Sequence, residues 1–157
     1  MKKKSSQVQL IIIVIIGFML MAGGLWGLAF TYRNVAREKI ITPADAAIPG
    51  VPVRGPWTLK AQADIIRTHA LRSTGGLTFA EMPRQIPQVN ANGTPVLGAD
   101  GQPVLVANEA RDLWITATTL ITALNLGIMA YAFFSLAFVL GLVMLSISLI
   151  LRKIINN

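Results

Sequence analysis

The run from Leu113 to Leu151 constrains this chain more than any other stretch, because its 39 residues include no Asp, Glu, Lys, Arg or His. As one α-helix it would be ~58 Å long, about twice the ~30 Å hydrocarbon core of a bilayer. A second charge-free run covers residues 5–32. The two runs predict a mainly α-helical membrane protein with two transmembrane helices, of which the second extends out of the bilayer. A small extramembrane α+β segment is expected between them.

The composition agrees with this class and narrows the chemistry. The chain has 157 residues, 54% of them hydrophobic, and no cysteine, which rules out disulfides and thiolate-ligated metals. Its net charge is +7, but five basic residues lie in the segments 2–4 and 152–153, outside the apolar runs. Residues 31–112 carry nine Lys or Arg and seven acids. We therefore attribute the excess charge to membrane topology and expect no nucleic-acid partner.

The N-terminal apolar run is predicted to be a membrane anchor. Residues 1–6 form a basic cytoplasmic cap and residues 7–30 the first transmembrane helix. A cleaved secretory signal peptide is the alternative, but the apolar core at residues 10–30 is 21 residues long, against about 7–15 in a signal peptide. We therefore expect an uncleaved signal anchor. Gly23 and Gly27 form a G-x-x-x-G motif, which favours the close approach of another helix backbone.

The long C-terminal run divides into two parts. Residues 113–127 carry threonines and an asparagine, and Thr118, Thr122 and Asn125 recur at i, i+4 and i+7 on one helical face. We predict that this part continues outside the bilayer or at its surface, with these side chains facing water or a partner. Residues 128–151 are predicted to be the second transmembrane helix.

A helical hairpin is the alternative for this run. It would turn near residues 125–127 and give three spans, but its first half, at about 12–14 residues, is too short to cross a bilayer comfortably. In the single-helix interpretation, Ala137 and Gly141 repeat the small-residue spacing of the first span. We predict that the two spans pack together, or against a partner, through Gly23, Gly27, Ala137 and Gly141.

An amphipathic helix is predicted over residues 58–74, begun by Thr58 and ended by the glycine pair at 75–76. Its apolar stripe, which includes Leu59 and Ile66, is too narrow for the helix to be stable alone. We expect the helix to lie on the bilayer surface or against another chain, with Leu59 and Ile66 facing that partner.

The remaining middle segments are predicted to be a connector and a small β unit. Residues 31–57 are read as a semi-rigid connector because four prolines fall between positions 43 and 56. Within residues 77–107, the sequence ANGTPVL at 91–97 is echoed by ADGQPVL at 99–105. Asn-Gly and Asp-Gly mark tight turns, so this segment is expected to be a loop with a β-hairpin or meander.

Charge and aromatic placement predict the orientation. The basic pair in the predicted cytoplasmic tail, residues 152–157, opposes the mixed charges before the second span, which favours both chain ends inside and residues 31–112 outside. We expect a bacterial inner-membrane protein in this orientation. Trp26, Tyr32 and Trp114 are predicted to anchor the outer interface.

The inventory for catalysis is small. The single histidine, His69, lies on the amphipathic helix, where an ordinary exposed side chain competes with a haem ligand or a pH-responsive contact. No paired carboxylates, zinc-protease motif, nucleophile elbow or P-loop occurs. We expect no enzyme activity, cofactor or metal, and predict an accessory or assembly subunit that binds the bilayer and other integral membrane subunits. The alternative is a homo-oligomeric pore or stalk lined by the Thr/Asn stripe of residues 116–125.

Overall fold

The computed structural model describes the backbone of residues 2–156 and the side chains of residues 7–154. Its elements are helices α1 (Lys2–Arg37), α2 (Pro56–Ser73) and α3 (Glu109–Asn156) and strands β1 (Gln85–Pro87) and β2 (Leu105–Ala107). The mainly helical class with a small β unit is therefore confirmed. The side chains of the predicted cap at 1–6 and the end of the predicted tail at 155–157 lie outside this description.

Helices α1 and α3 form an antiparallel pair. Gly17 lies against Gly141 near the middle of the pair, and Val35, towards the end of α1, lies against Gly127, earlier in α3. The start of α1 and the end of α3 therefore lie at the same end of the pair. Helix α3 is continuous through residues 125–127, so the described chain has one long helix there and not a hairpin.

Both helices of this pair are long and apolar enough to cross a membrane, over Gln7–Arg37 and Glu109–Ile154. In the most apolar stretch of each, only 11% of the residues are buried inside the chain. A core helix of a soluble domain would bury its apolar side chains. Here they point outward along most of the pair.

Helix α2 packs along the N-terminal part of α3, antiparallel to it. Leu59 lies against Gly127, and Ala70 packs with Trp114 and Ala117 two to three turns further along. The apolar face of α2 is covered by its own chain, which corrects the expectation that it lies on the bilayer or on another protein. The small side chain of Ala63 on this face permits close helix packing.

The ends of α2 differ slightly from the expectation. The helix begins at Pro56, with Gly55 as its N-cap, and Thr58 acts from the third helical position. The Thr58 hydroxyl accepts the Gly55 N–H at 3.1 Å and donates to the Gly55 carbonyl at 3.0 Å. The predicted glycine stop is present, because Gly75 and Gly76 adopt positive φ angles of 65° and 86°.

The connector between α1 and α2 folds back on itself and is not simply extended. Its backbone pairs Ile41 with Pro52, and the Thr42 hydroxyl accepts the Val51 N–H at 3.1 Å. Val53 is only 1% exposed because this return places it in the core against α2 and α3. The prolines therefore shape a closed loop that also supplies a core residue.

The repeat region closes into a ring of three hydrogen bonds. The N–H groups of Gln88, Val96 and Val104 donate to the carbonyls of Val104, Gln88 and Val96 at 2.7, 2.8 and 2.8 Å. The three residues are eight positions apart, which is the spacing of the repeat, and each of them bonds the other two. Strands β1 and β2 pair antiparallel at the base of this ring. The expected hairpin is thus part of a closed unit that no linear meander would form.

Candidate functional site

The three helices meet at a junction near the C-terminal end of α1. Its core combines Val53 from the connector, Leu59 and Ala63 from α2, and Leu124 from α3, with Val35 of α1 packed against them. Residues far apart in the sequence therefore meet at this junction.

A cleft of about 640 Å³ opens at this junction, a volume in the range of small-molecule sites. Most of its lining is apolar: Phe30, Val35, Ile40, Leu59, Ile66, Leu120, Ala123, Leu124, Leu126, Gly127 and Ala130. Four polar side chains complete it: Thr31, Asn34, Glu38 and Gln62. Among the described residues that line it, Glu38 is the only charged one.

The polar groups of the cleft differ in how they are satisfied. The Thr31 hydroxyl donates to the Gly27 carbonyl at 2.8 Å, and the Asn34 amide donates to the Phe30 carbonyl at 2.9 Å. In contrast, Oε1 of Gln62 is buried, and no donor from the described residues is within hydrogen-bonding distance. A buried carbonyl oxygen without a donor is unfavourable. Gln62 therefore places a buried carbonyl oxygen in the wall of the cleft without a donor from the described residues.

Aromatic side chains cluster near the level of this junction, and one of them was missed by sequence reasoning. Trp57, at the start of α2, is 79% exposed, and Arg54 close by donates to the Tyr32 hydroxyl at 3.5 Å. The Tyr131 hydroxyl donates to the Arg54 carbonyl. Trp57 falls in the predicted connector, and the folded connector brings Arg54, three residues before it, to Tyr32.

Trp114 lies apart from Trp26, Tyr32 and Trp57, which corrects its predicted role as an interfacial anchor. Gly27 lies against Phe134, so the exposed Trp26 is near that level. Trp114 is 20 residues further along α3, about 30 Å away. It is buried in a second core with Ala70, under the guanidinium of Arg67 at 5.8 Å from the ring centroid.

The predicted helix-packing residues are only partly brought together. Gly27 and Gly141 lie in the α1–α3 contact, and Ala137 is half-buried on the same side of α3. A Cβ on Gly23 would meet no atom within 4 Å, whereas one on Gly24 would lie 2.6 Å from the Phe138 nitrogen. Within this chain the contacting glycine is therefore Gly24, one residue and about 100° around the helix from Gly23.

The predicted partner-facing residues separate into two groups. Leu59, 2% exposed, and the half-buried Ile66 are packed inside the chain, so the expectation that they face a partner is corrected for the same reason as α2 itself. Thr118, Thr122 and Asn125 are exposed.

Two of these exposed residues, Thr118 and Thr122, line an open groove of about 580 Å³ along α3. The other lining residues are Phe79, Trp114, Ile115, Thr119, Ala123 and Leu126. The groove is thus an apolar surface with hydroxyl groups along it, and it lies on a side of α3 that α2 does not cover.

Arg111 holds the loop that forms one wall of this groove. Its guanidinium donates to the carbonyls of Phe79 and Met82 and lies 3.8 Å from the centroid of the Phe79 ring. Asn108 adds a second tie, because its amide donates to the Pro83 carbonyl at 2.9 Å while its oxygen accepts the Ala110 N–H at the start of α3. These contacts therefore attach the loop that carries Phe79 to the start of α3.

His69 pairs with Asp45 of the connector, with Nε2 and Oδ2 2.7 Å apart. Both side chains are about half exposed. The hydrogen bond to His69 is the main reason that the pKa of Asp45 lies below its ordinary value. The histidine is thus a partly exposed side chain that ties the connector to α2.

No group of three or more His, Cys, Asp or Glu side chains comes together within the described part of the chain. The chain matches no family model, no curated protein and no solved structure. Two surfaces that involve α3, the cleft at the helix junction and the groove lined by threonines, are therefore the candidate functional sites.

Proposed function

We propose that this protein is a non-catalytic accessory or assembly subunit of a larger integral membrane complex. Helices α1 and α3 anchor it in a bacterial inner membrane with both chain ends inside. Residues 31–112 and the N-terminal part of α3 stand outside, and a partner subunit binds there on the face formed by α3 and Phe79.

Three observations support the membrane placement. The apolar side chains of the α1–α3 pair point outward, where lipid would cover them at no cost. The exposed aromatic residues Trp26, Tyr32 and Trp57 lie towards one end of the pair, as aromatic residues do at a membrane interface. The basic segments at 2–4 and 152–153 lie at the opposite end, as the positive-inside tendency favours.

The groove on α3 is the observation that carries the partner proposal. It extends from Trp114 to Leu126, about 18 Å or three helical turns, which suits the side of another helix. Hydroxyl-bearing and small side chains at its centre favour close helix packing in or near a membrane. The described part of the chain leaves this groove open. At its end, Arg111 stacks on the Phe79 ring and Arg67 lies over the Trp114 ring.

A pore lined by residues 116–125 is the competing function, and the same surface supports it less well. The hydroxyls of Thr116 and Thr119 donate to the carbonyls of Asp112 and Ile115, one turn earlier. The apolar Ile115 and Leu126 share the face with the threonines. A water-filled path would need a more continuous polar lining than this.

Site-specific photo-crosslinking in native membranes tests the proposal. A crosslinker at Thr122 lies in the groove, and one at Asp64, which is exposed on α2 and paired with Lys60, is the matched control. We expect Thr122 to capture an unlike membrane subunit and Asp64 to capture none. Native mass measurement after mild extraction then gives the stoichiometry. A ring of identical chains would establish the pore instead, and a free monomer with no crosslink would reject both.

A further inference from the structure

We propose that the cleft at the three-helix junction binds a membrane phospholipid through a primary ammonium headgroup. Three features support this assignment: the apolar lining of the cleft, the Gln62 oxygen buried in its wall without a donor from the described residues, and the distribution of charge around it. It rests on the membrane placement proposed above, but not on the partner groove.

The cleft is polar at one end and apolar at the other. Gln62 lies about one turn after Leu59, which touches Gly127, so it is near the level of Leu124. Glu38 lies three residues after Val35, which also meets Gly127, and so reaches a similar level. Phe30 and Ala130 lie at the other end of the lining, nearer the bilayer. An amphiphile with its tail in the bilayer and its headgroup outward matches this direction.

The polar end presents acceptors and negative charge. Oε1 of Gln62 is buried in the cleft wall without a donor from the described residues, so a headgroup reaches it only when the side chain turns outward. The Glu38 carboxylate lies at the same cleft. A group with N–H donors and positive charge would satisfy both, since hydrogen bonds between charged groups are the stronger ones. A primary ammonium provides such donors, whereas a quaternary ammonium has no N–H to give.

A basic surface lies directly beside the cleft. A shallow depression of about 140 Å³ is lined by Arg33 and Arg37, and it shares Phe30 and Asn34 with the cleft. Guanidinium groups are well suited to phosphate oxygens. The pair of surfaces therefore presents negative charge for an ammonium and positive charge for a phosphate, which is the arrangement of an aminophospholipid headgroup.

Lipid titration of the detergent-purified full chain, followed by native mass spectrometry, tests this assignment. The probes are phosphatidylethanolamine, phosphatidylcholine and phosphatidylglycerol with identical acyl chains. We expect phosphatidylethanolamine to bind about tenfold more tightly than phosphatidylcholine, since one charge-assisted hydrogen bond distinguishes them. Equal binding of these two would overturn the proposal. Tighter binding of phosphatidylglycerol would overturn the ammonium assignment and indicate a hydroxyl or anionic headgroup.

Variants of Gln62 show whether the selectivity comes from this site. Gln62→Leu removes the acceptor, and the affinity for phosphatidylethanolamine is expected to fall to about that for phosphatidylcholine. Gln62→Glu keeps an acceptor and is expected to retain the preference for phosphatidylethanolamine. Thr122→Val, in the other groove, is the matched control and leaves binding unchanged. Helicity and melting temperature confirm that each variant is folded. An unchanged preference in folded Gln62→Leu would reject the site.

The outcome is independent of the partner proposal. Carbonate extraction of native membranes first establishes that the chain is integral, and release into the soluble fraction would reject the lipid site with the membrane placement. If the chain is integral and selective but Thr122 captures no subunit, the accessory function fails and the lipid site stands. If Thr122 captures a subunit but the lipids bind equally, the lipid site fails and the accessory function stands.

Discussion

Gly141 lies directly against the backbone of Met21. A Cβ on Gly141 would be 2.5 Å from the Met21 nitrogen and 2.6 Å from the Gly17 carbonyl oxygen. Real Cβ atoms do not approach backbone atoms this closely, so the two helices can only be this near because the position is glycine. The crossing of α1 and α3 therefore depends on this contact.

Replacing Gly141 by alanine is expected to destabilise the helix pair by about 1–3 kcal/mol, because backbone must move to admit the methyl group. Thermal unfolding of the purified chain in detergent measures the change. Gly23→Ala is the matched control, since nothing lies within 4 Å of a Cβ there. It is expected to leave stability unchanged or to raise it by up to about 1 kcal/mol through helix propensity. Equal effects of the two variants would contradict the packing described here.

Arg111→Ala is expected to release the loop that forms the wall of the partner groove. Two hydrogen bonds from a charged donor and a stacked Phe79 ring are lost, a cost of about 1.5–3 kcal/mol. Hydrogen exchange of residues 78–83 measures the opening. Arg84→Ala, an exposed residue of the same loop, is the control and should leave exchange in this segment unchanged. Similar exchange in both variants would show that Arg111 does not hold the loop.

The contact between Asp45 and His69 is expected to be lost in acid. The pKa of Asp45 is lowered in the folded chain, chiefly by its hydrogen bond with His69. A carboxyl group with a lowered folded-state pKa contributes stability above its ordinary pKa of about 3.9, and this is lost as the pH falls through the folded value. Melting temperature followed from pH 7 down to pH 3 should therefore decline at the acid end.

Asp45→Asn is expected to weaken this acid-end decline, because the titrating partner is gone. Asp64→Asn, whose carboxylate pairs with Lys60 within α2, is the comparison for a change of charge that does not touch the connector. Hydrogen exchange at Thr42 and Val51 reports the connector directly. A pH profile of Asp45→Asn identical to that of the unaltered chain would reject the contribution of this pair.

Gly93→Ala is expected to open the ring formed by the repeats. Gly93 has a φ angle of 77°, and an alanine there costs about 1–2 kcal/mol of backbone strain. The exchange rates of the Gln88, Val96 and Val104 amides should rise together, because each of these three residues bonds the other two. Gln102→Ala keeps the backbone hydrogen bonds and is the control. A rise confined to Val96 would indicate independent hairpins and no closed ring.

Glycine placement shows how far sequence patterns reach. The G-x-x-x-G motif located the right turn of α1, but Gly23 and Gly24 are adjacent and differ by about 100° in direction. A motif cannot choose between them, since the choice depends on how α3 is rotated. In the structure, α3 is rotated so that Phe138 lies against Gly24 and not against Gly23.

Helix α2 shows a second limit. Its apolar stripe correctly indicated a surface in need of cover, but the cover comes from Leu124 and Gly127, more than 60 residues later in the chain. The periodicity of residues 58–74 cannot indicate a contact with residues so much later in the sequence. The sequence therefore predicts that Leu59 faces another protein, whereas Leu59 belongs to this chain's core.

Local chemistry determined the parts of this protein that depend on neighbouring residues. The long charge-free run determined an unbroken α3, the glycine pair at 75–76 ended α2, and the eight-residue repeat set the spacing of the β unit. Tertiary structure alone decided which faces meet: that α2 covers α3, that Arg54 meets Tyr32 while Trp114 is buried, and that the Gln62 oxygen is buried beside a cleft. The physical reason is that helix formation is set within a few residues, whereas the relative rotation of two helices is decided by packing between distant segments.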